Sequence, residues 1–130
     1  MPKAPKKPSP AVPRRPKPQT PVRLRVVLGN DLFLGPGKAD LMEEIMNTGS
    51  ISAAGRRLGM SYKRAWTLVE TLNGYFAEPL VIKAPGGKTG GGALLTPLGQ
   101  DVLKRYRRMV AACDKAIAAD VAALRKRSAS

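Results

Sequence analysis

The 130-residue chain carries 23 Lys+Arg against 9 Asp+Glu, a formal net charge of +14 that attracts polyanions. With no His, a single Cys and no clustered carboxylates, it lacks the usual zinc ligand sets and hydrolytic triads and cannot be a disulfide-stapled secreted fold, so a non-enzyme with no metal and no cofactor is expected. Neither a signal-peptide core nor the roughly 20 apolar residues of a membrane span is present, and a cytoplasmic protein without membrane attachment is expected.

Residues 1–21 hold eight prolines and six basic residues, Lys3, Lys6, Lys7, Arg14, Arg15 and Lys17, with no acidic residue and little to bury. This composition reads as a disordered, partly polyproline II arm. Residues 22–130 retain a charge of +8, so the folded part is basic in its own right. A domain is expected over 22–95 and a long helix over 96–127.

Val22 to Leu28 alternates apolar residues with Arg23 and Arg25, the period of a half-buried strand, and Gly29-Asn30-Asp31 follows as a turn. Leu32-Phe33-Leu34 continues as a second short strand. Gly35-Pro36-Gly37 is expected to break the chain before a first helix over Lys38–Asn47, where Leu41, Met42, Ile45 and Met46 recur at helical spacing.

From Gly49 to Glu70 the chain reads as a helix-turn-helix. Two short helices cross closely only where a small residue sits at the contact and a flexible one makes the turn; Gly55 and Gly59 fill those positions. Ser50 and Ser61 are the candidate N-caps of helices over Ser50–Leu58 and Ser61–Phe76. On the second helix Ala65, Leu68, Val69, Leu72 and Phe76 share one face, with Trp66 packing at its border. Lys63, Arg64 and Thr67 lie on the exposed side of its first two turns, which suits entry into a major groove, and Ser61 and Tyr62 offer hydroxyls at its start. Ser50, Ser52 and Arg56 of the first motif helix join them as candidate DNA-binding residues.

Leu80-Val-Ile-Lys83 and Ala93-Leu94-Leu95 read as strands joined by a glycine-rich tip, the wing of a winged helix. Lys83, Lys88 and Thr89 are expected to track a phosphate backbone. Gly87-Lys88-Thr89 imitates the end of a nucleotide-binding loop, but Ile82 stands where that motif needs glycine and no helix follows directly. After Thr96-Pro97 a helix runs to about Arg127, with Leu103, Tyr106, Val110, Cys113, Ile117 and Leu124 at three- and four-residue steps. Such a seam is expected to dimerise, its first third packing on the first helix of its own domain. The fold class is thus α+β: a winged helix-turn-helix with a short N-terminal strand region, a two-stranded wing and a long dimerisation helix.

Gly49-Ser-Ile-Ser52, Met60-Ser-Tyr-Lys63, Ala65-Trp66 and above all Gly86-Gly-Lys-Thr-Gly-Gly-Gly-Ala93 with Leu95-Thr96 and Leu98-Gly99 resemble the N-terminal DNA-binding domain of the ModE family of molybdate-responsive regulators, which is related to the LysR-type winged helix. The resemblance implies a dimeric bacterial transcription regulator. Family members usually continue into Mop-type molybdate domains, whereas this sequence stops at Ser130. No oxyanion cavity is therefore expected, and molybdate is expected to leave DNA affinity unchanged unless a separate molybdate-binding protein docks on the long helix. The reading is a homodimer that binds double-stranded DNA sequence-specifically. Its rivals are a nonspecific nucleic-acid or nucleoid-associated binder and a protein-recruiting adaptor.

Overall fold

Pro36 opens the first helix instead of breaking the chain. In the computed structural model, which describes residues 20–84 and 92–129, α1 spans Pro36–Thr48 after an extended Gly35. The first helical position needs no N–H and suits the fixed φ of proline, so the expected boundary moves upstream. Residues 21–26 keep the alternation of exposed and half-buried side chains, yet the expected strand shrinks to β1 (Val26–Val27), paired antiparallel with β2 (Phe33–Leu34). Earlier in that segment the Leu24 carbonyl accepts the Tyr106 hydroxyl at 2.6 Å, a tie to a distant helix rather than to a strand.

The motif helices are α2 (Ile51–Arg57) and α3 (Tyr62–Tyr75). Both serines cap as expected: Ser50 Oγ accepts the Ala53 N–H and Ser61 Oγ accepts the Arg64 N–H, each at 3.1 Å. Gly59 turns the chain at φ 73°, and a Cβ on Gly55 would lie 3.0 Å from that of Ala65, so the two helices leave little space for a side chain there. Strands β3 (Val81–Lys83) and β4 (Ala93–Leu95) pair antiparallel in the register Val81 to Leu95. The 30-residue α4 (Pro97–Lys126) follows, capped by Thr96 Oγ1 on the Gly99 N–H at 2.9 Å.

Leu41, Ile45, Ala54, Ala65, Leu72 and Leu80 have no exposed surface and form the centre of the core. Each buried leucine or isoleucine there contributes about 1.5–3 kcal/mol of apolar burial. Polar ties set the elements around it. Asn73 Nδ2 donates to the Val81 carbonyl at 2.9 Å, and its Oδ1 accepts the N–H groups of Leu80 and Val81, fixing the start of β3 against α3. At the other strand the Ala93 N–H donates to Gly49 O at 2.9 Å, which holds β4 to the corner between α1 and α2. Arg107 of α4 donates to Asp40 and Glu43, and Arg57 of α2 to Glu44, so three helices are linked through carboxylates of α1.

Leu103 and Tyr106, expected in the dimer seam, are 8% and 2% exposed in the single chain, so they belong to its own core. Val102, Leu103 and Tyr106 together hold the start of α4 on the domain, so the first third of the helix packs within its own chain. Val110 and Cys113 are half-buried, while Ile117 and Leu124 stand exposed. No helix among the described residues is long and apolar enough to cross a membrane. The basic arm up to Gln19 and the glycine-rich tip with Lys88 and Thr89 lie outside the described residues.

Candidate nucleic-acid interface

Helix α3 presents its polar side because the opposite side is consumed by the core: Ala65, Val69 and Leu72 are buried, with Leu68 and Phe76 packed beside them. Lys63, Arg64 and Thr67 are left exposed on the first two turns. Ser61, Lys63, Arg64, Thr67 and Leu68 line a cleft of about 290 Å³. Neither Lys63 nor Arg64 has a carboxylate partner among the described residues, in contrast to Arg57, Arg105 and Arg107, whose charges are already paired. Unpaired cations at the start of an exposed helix are available for phosphate oxygens or base edges.

Some candidate hydroxyls have prior commitments. Thr67 Oγ1 donates to the Lys63 carbonyl at 2.9 Å, leaving its methyl group and acceptor lone pairs outward. Ser50 caps α2 and sits half-buried at the corner, where its own N–H donates to Thr48 Oγ1 at 3.2 Å. On α2, Ser52 Oγ accepts from Arg56 Nη1 at 2.9 Å, which orients an exposed guanidinium. Tyr62 is exposed and meets Trp66 edge-on, the ring centroids 6.2 Å apart, while Trp66 packs against the core. Lys83 is exposed at the end of β3, outside the α3 cleft.

Two basic residues beside this surface carry no signal as a pair in the sequence. A second cavity of about 540 Å³ runs from the start of α1 to the start of α3, lined by Arg25, Phe33, Lys38, Met60, Ser61 and Arg64 among others. Lys38 Nζ lies 3.6 Å from the centroid of the Phe33 ring and Arg25 Cζ lies 3.9 Å from it, both in reach of cation–π attraction. Burial holds the Lys38 ammonium below the usual lysine pKa, with the positive charges of Arg25 and Arg64 adding to the shift. The alternation in Val22–Leu28 carried one sign of this, placing Arg25 on the outward side of the chain. Nothing local marked Lys38.

The core, the two caps and the crossing at Gly55 coincide with a recognised pattern: residues 38–100 match the family described as bacterial regulatory helix-turn-helix protein, lysR family. Over this segment the chain matches a LysR-type helix-turn-helix domain. It runs from the first turn of α1 through both motif helices and the β3–β4 pair to the first turn of α4. The chain is similar to the molybdenum-pterin-binding protein MopB of Rhodobacter capsulatus, 49% identical over 73 residues that cover 56% of this chain and 27% of the relative. It is 40% identical over 85 residues to the transcriptional regulator ModE of Yersinia pestis, covering 65% of this chain and 32% of that protein. The DNA-binding transcriptional dual regulator ModE of Escherichia coli K12 is 39% identical over 85 residues, with the same coverage of 65% and 32%. The matches thus span about a third of the length of these relatives. They agree with the ModE resemblance drawn from the motif and the glycine-rich segment. Within the LysR-type domain α3 is the second helix of the motif, the one that enters the major groove in helix-turn-helix proteins.

Proposed function

We propose that this chain is a DNA-binding transcriptional regulator of the ModE kind, acting as a homodimer on a two-fold related operator. The single observation that carries the reading is the exposed first half of α3, with Lys63 and Arg64 unpaired inside a LysR-type domain. In this reading α3 reads base edges, Ser52 and Arg56 of α2 contact the flanking backbone, and the β3–β4 pair acts as a wing that brings Lys83, Lys88 and Thr89 to phosphates. The part of α4 beyond Val110 supplies the dimer seam, and the basic arm over residues 1–21 adds sequence-independent phosphate contacts.

Selection of bound duplexes from a random library at physiological salt tests it. An enriched palindrome supports the regulator, and no enrichment favours the nonspecific binder. Arg64→Ala is expected to weaken binding to the selected site by about 1–3 kcal/mol and to relax preference at one base position. An equal loss on cognate and random duplexes would make Arg64 a phosphate contact instead.

Removing residues 1–21 separates the arm from the motif. The truncated protein is expected to keep its sequence preference while its affinity falls and its salt dependence flattens, by about 0.9 in the slope of log K on log salt for each phosphate that the arm neutralises. An unchanged slope would show that the arm does not touch the duplex.

A further inference from the structure

Lys38 is only 8% exposed, so more than nine-tenths of it is buried, and its ammonium makes no hydrogen bond and no ion pair among the described residues. Among those residues no side-chain nitrogen is both sealed from solvent and unpartnered, so Nζ keeps some contact with solvent, and Lys38 lines the cavity. Phe33 and, at 5.8 Å, Tyr75 offer ring faces to this charge, but neither neutralises it. Arg25 and Arg64 bring two further positive charges to the same cavity, and no carboxylate of the described residues lines it. The start of α1 faces the same space. The first hydrogen bond there runs from the Ala39 N–H to Gly35 O, Gly35 provides no side-chain cap, and the first turn has no acidic residue, so the Gly37 and Lys38 N–H groups precede the bonded ladder.

We infer that this cavity is a binding site for a tetrahedral oxyanion, held by Lys38, Arg25 and Arg64 with the N–H groups at the start of α1. Three cations match a multiply charged group, the guanidinium fork fits paired oxygens, and the lysine supplies a point charge at depth. The anion also supplies the countercharge that the buried ammonium lacks. Two sources present this chemistry, a free inorganic anion or a phosphate of a bound duplex. Arg64 couples the site to α3 in either case, since it lines both the cavity and the cleft with Lys63 and Thr67.

The test uses the full chain, wild type and Lys38→Met, whose side chain keeps an apolar stem over Phe33. Calorimetric titration with inorganic phosphate and with sulfate, against chloride at equal ionic strength, reads the free anion. Saturable binding that weakens at least tenfold in Lys38→Met assigns the site to it. The duplex arm rests on the function proposed above. There, no saturable anion binding, together with equal loss of cognate and random duplex affinity and a salt slope reduced by about one in Lys38→Met, assigns the site to a DNA phosphate. If Lys38→Met changes neither measurement, the inference is wrong. A chain that binds no duplex still decides the matter by calorimetry, where absence of anion binding overturns it. Should Lys38→Met fail to fold by circular dichroism, Arg25→Gln, at an exposed position, replaces it with the same outcomes.

Discussion

Gly99→Ala is expected to destabilise the domain by about 3 kcal/mol, although alanine is the better helix former. Helix propensity alone favours the substitution by roughly 1 kcal/mol. The site reverses that preference, because a Cβ on Gly99 would run into the backbone of Leu80, its carbonyl oxygen first and its carbonyl carbon at 3.1 Å. Leu80 cannot step aside. Its N–H donates to Asn73 Oδ1 at 2.8 Å and its carbonyl accepts the Thr96 N–H at 2.9 Å, so relief would loosen both the entry to β3 and the cap of α4. Urea unfolding followed by circular dichroism measures the shift in midpoint. A midpoint equal to or above that of the wild type would show that α4 does not press against Leu80 in solution.

Ile117→Asp is expected to turn the proposed dimer into a monomer and to lower operator affinity by about 100-fold, the avidity that disappears when two half-sites are no longer held together. The domain leaves much of α4 uncovered. This helix packs on the domain as far as Val110, then continues to Lys126 over a stretch in which Ile117 and Leu124 are 38% and 70% exposed. Val110 and Cys113 continue the same three- and four-residue steps. A second copy of the helix would bury this stripe, and an aspartate within it would leave a charge unpaired in an apolar contact. The substitution lies far from the core, so the helical content of the chain should not change. Sedimentation at micromolar concentration with the wild type and the variant decides between the states. Identical behaviour would remove Ile117 from any dimer contact.

Local chemistry in the sequence determined much of this molecule. Ser50, Ser61 and Thr96 cap where their short hydroxyl side chains allow them to, because a cap involves only its own residue and the next three. Gly59 and the apolar spacing of α3 were legible for the same reason, being properties of a few consecutive residues. The exposed set Lys63, Arg64 and Thr67 followed from that spacing, since burying one side of a helix exposes the other.

Tertiary structure decided the rest. Whether Leu103 and Tyr106 face a second copy or their own core depends on where α4 lands on the domain, and their spacing is the same in either case. Gly99 reads as a weak point in a helix until Leu80, distant in the chain, is found against it. Arg25, Lys38 and Arg64 stand on three separate segments and carry no motif. Their meeting at one cavity arises from packing the segment just before β1 with α1 and α3, and the field of several charges depends on distances that only the folded chain defines.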